Sequence, residues 1–92
     1  MVFKITDEKN EISVEITDFS IRKLDSRSYM GVTLPGEGFV TQNLRTLISI
    51  LDGNIETFID DVEILNGKLQ GIEYARRENP DGVTYLLNLT II

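Results

Sequence analysis

The sequence predicts an α+β domain: a small antiparallel sheet, or sheets, of about six strands with one main helix packed on the apolar face. Two observations lead to this prediction. Several short segments alternate apolar and polar residues, as strands with one buried face do. One segment instead repeats apolar residues with helical spacing. The chain has 92 residues, which suits one hydrophobic core, so we expect residues 1–92 to form a single domain.

The first part of the chain predicts a hairpin. Apolar and polar residues alternate in residues 2–6 and again in residues 11–17, with a polar, turn-like stretch between them. This pattern predicts two antiparallel strands. A further strand is predicted over residues 19–23, where the alternation continues out of phase, and a bulge or bend near Thr17 and Asp18 would restore the buried face.

The main helix is predicted over residues 41–52. A strand over residues 29–34 precedes it, and the proline and glycines of residues 35–38 predict a loop between the two. Thr41 can cap the helix, and Gly53 can end it. The face expected to be buried has the spacing i, i+3, i+4 and i+7 and consists of Leu44, Leu47, Ile48 and Leu51.

The second half of the chain predicts a short helix and then a meander. Residues 55–60 have helical spacing too, through Ile55, Phe58, Ile59 and Val62, so a short helix is predicted there. The pattern leaves a strand open as the alternative for residues 54–61. Strands are expected over residues 62–65, 68–77 and 83–91. The pair Asn66-Gly67 is a strong hairpin signal between the first two, and residues 79–82 predict the second turn. Apolar alternation continues to the last residue, so we expect the C-terminus to be part of the sheet.

The composition excludes several chemistries. The chain has no Cys, no His and no Trp, which rules out thiol nucleophiles, disulfides, zinc fingers and His-based triads. No apolar run approaches the ~20 residues of a membrane span, and Lys4 interrupts any apolar signal region. We therefore expect a cytoplasmic, non-enzymatic protein with no membrane contact, no cofactor and no catalytic or metal-ligating residues.

The net charge of −6 comes mostly from residues 46–67, which contain acids and no base. Such a stretch attracts a basic surface and repels nucleic acid. A solvated acidic helix face, with connecting loops, is the ordinary alternative. The residues predicted to bind a partner are Asp52, Glu56, Asp60, Asp61 and Glu63.

Two other patterns are weaker. Residues 52–63 place oxygen-bearing side chains at spacings similar to those of a calcium-binding loop, but Thr57 stands where the sharp turn needs glycine. Tyr74 and Arg76 are expected on one strand face with Ile72 and Gln70, a pattern that RNA-binding sheets use. The overall negative charge disfavours that interpretation.

The leading functional hypothesis is a non-enzymatic binding protein, an inhibitor or immunity-type partner of a protein with a basic surface. The alternative is a structural or assembly subunit that self-associates through exposed strands, giving a homodimer or larger oligomer. A third interpretation is a small regulatory module that binds RNA, a metal ion or a small ligand.

Overall fold

In the computed structural model, which describes all 92 residues, seven strands form one antiparallel sheet and a single helix packs on it. Along the sheet the order is β2-β1-β5-β6-β7-β4-β3. The α+β class is therefore confirmed, with one strand more than predicted. In chain order the elements are β1 Val2–Thr6, β2 Glu11–Glu15, β3 Asp18–Leu24, β4 Arg27–Leu34, α1 Gly38–Ile50, β5 Asn54–Ile59, β6 Val62–Asn79 and β7 Gly82–Ile91.

The longest strand, β6, joins two halves of the sheet. Residues 62–68 pair with β5, and residues 69–79 pair with β7. Each ladder contains one irregularity, with Ile64 as the extra residue in the first and Gln70 in the second. Such bulges bend a strand and increase its twist. We call the part formed by β2, β1, β5 and residues 62–68 the β1 half, and the remainder the β7 half.

The two edge strands are consecutive in the chain, so the sheet must curl. Strands β2 and β3 lie at opposite edges, yet only Ile16 and Thr17 connect them, a reach of about 11 Å. The Ile16 N–H donates to the Met1 carbonyl at 2.8 Å, and the Thr17 N–H donates to the Thr33 carbonyl at 3.3 Å. The strand predicted over residues 19–23 is therefore present as β3, and the bend expected near Thr17 and Asp18 is the place where the chain crosses from one sheet edge to the other.

The hydrophobic core fills the space between the curled sheet and α1. Every strand except β2 and β3 contributes fully buried side chains, and α1 adds three. The last residue, Ile92, exchanges backbone hydrogen bonds with Lys68 at 2.8 and 2.9 Å, so the C-terminus is part of the sheet. The buried apolar residues are Phe3, Ile5, Ile16, Met30, Val32, Leu34, Phe39, Leu47, Ile50, Ile55, Ile59, Leu65, Leu69, Leu87, Leu89 and Ile91.

The helix forms where the sequence predicts one, but its start and its buried face differ. It begins at Gly38 after the N-cap Glu37. Thr41 is not the cap: its N–H and its hydroxyl both donate to the Glu37 carbonyl, at 3.2 and 3.1 Å.

The buried face of α1 consists of Phe39, Leu47 and Ile50. The predicted face was wrong for Leu44 and Ile48, which are 51% and 62% exposed, and for Leu51 just after the helix, which is 38% exposed. The helix is apolar on more than one side, so spacing alone cannot select the side that the sheet covers.

The predicted short helix over residues 55–60 was also wrong, because this segment is strand β5. Ile55, Thr57 and Ile59 point into the core, while Phe58 lies on the other face. The segment fits both periods, and pairing with β1 and β6 on either side decides in favour of the strand.

No hairpin turn forms at Asn66-Gly67, where the sequence predicts one. The β5–β6 turn is formed by Asp60 and Asp61, whose φ angles of 48° and 66° are those of a type I′ turn. Residues 66 and 67 instead lie inside β6, so the predicted strands 62–65 and 68–77 are one strand. Gly67 has a φ of 145°, and a Cβ there would lie 2.5 Å from the Ile92 carbonyl oxygen, so glycine allows the chain end to approach.

One buried hydroxyl stabilises the first bulge of β6. Thr57 is fully buried and is the one polar side chain in the core. Its Oγ1 donates to the Leu65 carbonyl at 3.0 Å and accepts from the Leu65 N–H at 3.1 Å. Thr57 opposes Leu65 just where the register shifts, so the side chain bonds backbone groups that the irregular ladder leaves available.

We expect Thr57→Val to lower the free energy of unfolding by about 2–3 kcal/mol, because two buried backbone groups lose a partner while the volume stays the same. Thr57→Ser keeps the hydroxyl and should lose only about 1 kcal/mol for the missing methyl group. Urea unfolding followed by circular dichroism measures both. A valine variant as stable as the serine variant would show that the hydroxyl contributes nothing.

Candidate functional site

The five acidic residues predicted as a binding site do not form one cluster. Glu56 and Glu63 lie on the outer face of the β1 half, the side away from the helix, because both share that side with Phe58. Asp60 and Asp61 form the turn beside that face. Asp52 lies apart from them, directly after the helix, where its backbone N–H donates to the Leu69 carbonyl at 2.8 Å.

The two turn aspartates fasten the β5–β6 turn to β1. Asp60 Oδ1 accepts a hydrogen bond from the Val2 N–H at 2.7 Å, and the Asp60 N–H donates to the Val2 carbonyl at 2.9 Å. Asp61 Oδ1 lies 3.6 Å from Lys4 Nζ. Part of the predicted site therefore has a structural role, although both carboxylates remain exposed.

Two further glutamates belong to this face, and the sequence analysis did not include them. Glu11 opposes Thr6 and Glu15 opposes Val2 across the β1–β2 ladder. Glu56 opposes Thr6 from the other side, so Glu11 and Glu56 flank one residue of β1. Side chains opposite each other share a face of the sheet. We call the set formed by Glu11, Glu15, Glu56, Asp61 and Glu63 the outer acidic face.

A lysine lies in the middle of the outer acidic face. Lys4 Nζ is 3.9 Å from Glu11 Oε1 and 3.6 Å from Asp61 Oδ1. The same ammonium lies 4.7 Å from the centre of the Phe58 ring, a cation–π contact. The N-terminal amine contacts Glu15 at 3.4 Å, and Lys68 lies at the far end of the face opposite Asn54. The carboxylates outnumber these cations, so the face remains negative.

Two of the basic residues of the β7 half have partners within the chain. Arg22 stacks over the Tyr29 ring at 5.3 Å, and Arg76 donates to Glu78 at 2.8 Å. The hydrogen bond with Glu78 raises the pKa of Arg76, with a further contribution from Tyr85. Because the arginine is already paired, it presents less free positive charge to a phosphate backbone.

The residues predicted to form an RNA-binding face are only partly together. Tyr74 stacks on Tyr85 with ring centres 6.3 Å apart and an interplanar angle of 11°. Desolvation raises the pKa of the Tyr74 hydroxyl, and the negative charge of Glu37 adds to the shift. Gln70 is the extra residue of the bulge, which removes it from the regular alternation. The predicted row of side chains is therefore interrupted.

The segment similar to a calcium loop is not a loop. Residues 52–63 comprise a short connection, strand β5, the turn and the start of β6. Along a strand, successive side chains point to opposite faces, so Glu56 and Thr57 diverge. The chain contains no group of three or more acidic side chains placed to hold a metal ion.

The single helix is not long and apolar enough to cross a membrane.

Comparison with protein-family models, with curated proteins and with solved structures found no match.

The turn between β1 and β2, at one end of the outer acidic face, contains a carboxylate with a shifted pKa. The backbone N–H of Lys9 donates to Asp7 Oδ1 at 2.8 Å, and this is the main reason why the pKa of Asp7 is lowered. The backbone N–H and the side-chain amide of Asn10 donate to the same oxygen. These bonds favour the ionised form, so Asp7 both shapes the turn and stays negative.

Since the folded pKa of Asp7 is below its unfolded value, its ionisation stabilises the fold above the unfolded pKa, and this stabilisation is lost as pH falls through the folded pKa. We expect wild type to be more stable than Asp7→Asn at neutral pH and the difference to shrink on acidification. Urea unfolding of both variants from neutral to acidic pH tests this. A difference that stays constant with pH would contradict it.

Proposed function

We propose that this protein is a non-enzymatic binding protein, an inhibitor or immunity-type partner, whose outer acidic face docks on a basic surface of another protein. The main support is the placement of Glu11 and Glu56 on either side of Thr6, with Glu15, Glu63 and Asp61 on or beside the same face. Strand β2 and the β5–β6 hairpin, which are distant in the sequence, thus contribute to one negative surface.

The outer acidic face has properties that favour association. Concentrated charge of one sign steers a partner of opposite sign and raises the association rate. The half-buried Phe58 ring lies among the carboxylates and offers an apolar contact that can be dehydrated on binding. The backbone beneath is paired on both sides along β1 and β5, so little ordering is required when a partner docks.

A binding role also agrees with the chemistry of the face. Its carboxylates are exposed, and the chain has no histidine or cysteine to act with them as base or nucleophile. The same charge repels nucleic acid. A protein without cysteine suits a reducing compartment such as the cytoplasm, which is the location we propose.

Self-association through exposed strands has less support. Strand β3 is bonded on one side only and exposes Ile21 and Leu24. The same strand carries Arg22 and Lys23 in succession. Pairing β3 with the β3 of a second copy would bring these like charges together, and lysine on an edge strand is a common protection against such pairing.

The acidic-face proposal is tested with the double variant Glu56→Lys/Glu63→Lys, which changes two exposed carboxylates beside Phe58. A partner captured from the host by wild type, and identified by mass spectrometry, should bind this variant with an association rate reduced about 10-fold or more at low salt. Wild-type binding should also weaken steeply with salt. Stopped-flow or surface-plasmon measurements provide both quantities.

The matched control is Glu73→Lys/Asp81→Lys, which makes the same change in net charge on exposed positions of the β7 half. This control should retain the partner with nearly the wild-type rate. Equal losses in the two variants would mean that net charge alone matters, and an unaffected Glu56→Lys/Glu63→Lys variant would show that the outer acidic face is not the binding surface.

A further inference from the structure

The helix exposes a stripe of large apolar side chains that the fold does not cover. Leu44, Ile48 and Leu51 follow one another at i, i+4 and i+7, and they are 51%, 62% and 38% exposed. They point away from the sheet, because Phe39, Leu47 and Ile50 occupy the side that packs on the core. We call Leu44, Ile48 and Leu51 the helix stripe. Isolated apolar residues on a surface are ordinary, but a contiguous row marks an interaction surface.

The helix that carries the stripe is itself nearly free of charge. Within Gly38–Ile50 the sole ionisable side chain is Arg45, in a chain whose net charge is −6. The exposed neighbours of the stripe include Gln42 and Ser49. Two copies of an acidic protein repel each other over most of their surfaces, and this repulsion is smallest where the acids are absent.

One charge of each sign lies at the ends of the helix stripe. Arg45 is beside Leu44, and Asp52 follows Leu51. Both are exposed, and neither side chain takes part in any ion pair of the chain. In a contact with two-fold symmetry, a surface must be complementary to itself. An unpaired cation near one end and an unpaired anion at the other satisfy this requirement.

We propose that the helix stripe is a homodimer interface in which α1 packs antiparallel on α1 of a second copy, with the two-fold axis near Ile48. In this arrangement Ile48 contacts Ile48 of the second copy, Leu44 contacts Leu51, and Arg45 faces Asp52 in both directions. The helices lie about 8–10 Å apart, as packed helices do. This inference does not depend on the proposed function, because none of the residues it uses belongs to the outer acidic face.

The dimer is expected to be weak. Specific interfaces usually bury about 1,200–2,000 Å² in total, and three partly exposed side chains on each copy with their polar neighbours fall short of that area. We expect a Kd of about 100 µM, which is a transient association. Dimerisation should therefore be visible at high concentration and absent at low concentration.

The first test measures mass by sedimentation equilibrium from low micromolar concentrations to about 1 mM. Wild type should shift from the 10.4 kDa monomer towards twice that mass. Ile48→Asp should raise Kd at least about 10-fold, and circular dichroism checks that this surface variant is folded. A wild-type protein that stays monomeric throughout overturns the proposal.

The matched control is Leu24→Asp, at an apolar position of similar exposure, 58%, on the edge strand β3. It should dimerise as wild type does. If Leu24→Asp abolishes the dimer and Ile48→Asp does not, the copies meet through β3 and the helix-stripe interface is wrong.

Two further tests address the register. Arg45→Glu and Asp52→Arg should each weaken the dimer about 5-fold, and the double variant should restore it, because the exchanged charges face each other again. A double variant as weak as the single variants contradicts the pairing.

Because the chain has no cysteine, single nitroxide labels can be placed at Ser49→Cys and Gln42→Cys. With the helix axes about 8–10 Å apart, the intermolecular separation should be roughly 10 Å shorter at position 49 than at position 42. Equal separations or the reverse order exclude the antiparallel arrangement.

Discussion

The bend in strand β6 is the constraint on which the rest of the structure depends. This strand belongs to two ladders in succession, with β5 and then with β7, and a flat strand could not direct the two halves around one core. The bulges at Ile64 and Gln70 supply the curvature, and Thr57 supplies hydrogen bonds where the first bulge disturbs the ladder. Gly67 admits the end of the chain beside the bend. The curvature of β6, the enclosure of the core by the two halves of the sheet and the pairing of the C-terminus therefore depend on one another.

The curl also divides the surface into two regions of different physical character. On the side away from the core, β2, β1, β5 and the start of β6 present alternating side chains to solvent, and glutamates occupy several of those positions. On the other side the helix covers the core and shows its own outer surface.

Secondary structure was predicted correctly where the spacing of apolar residues fits only a helix or only a strand. Prediction failed where the spacing fits both. Strand β1 and the existence of α1 follow from a single period. In β5, the apolar positions satisfy both helical and strand spacing. Thr57 is polar but buried, so the apolar–polar alternation of a strand is not visible in the sequence. The β5–β6 turn contains Asp60 and Asp61 at positive φ, a conformation that a short polar side chain tolerates. Asn66-Gly67 is the stronger turn signal in the sequence, so the turn was predicted there instead. The burial of the helix depends on the sheet beneath it, which local spacing does not describe.

The candidate site could also be predicted only in part, because its residues come from segments that are distant in the sequence. A net-charge count along the chain finds the segment that contains Glu56 and Glu63, but it treats the first strands as neutral because Lys4 and other bases lie among their acids. Alternation already places Glu11 and Glu15 on one side of β2. Their contribution depends on strand order: only because β1 lies between β2 and β5 do they face the same solvent as Glu56.

The two proposed surfaces are compatible, and their combination has a consequence. An isologous contact between helices leaves both outer acidic faces uncovered, since the helix stripe and the outer acidic face have no residue in common. Dimerisation would then present two copies of the same negative surface, and a partner with repeated basic sites would meet the second at high effective concentration. Weak pairing is sufficient for this, because the partner itself stabilises the dimer that it binds. In this way a small domain with a weak dimer contact would obtain an affinity that one sheet face alone does not provide.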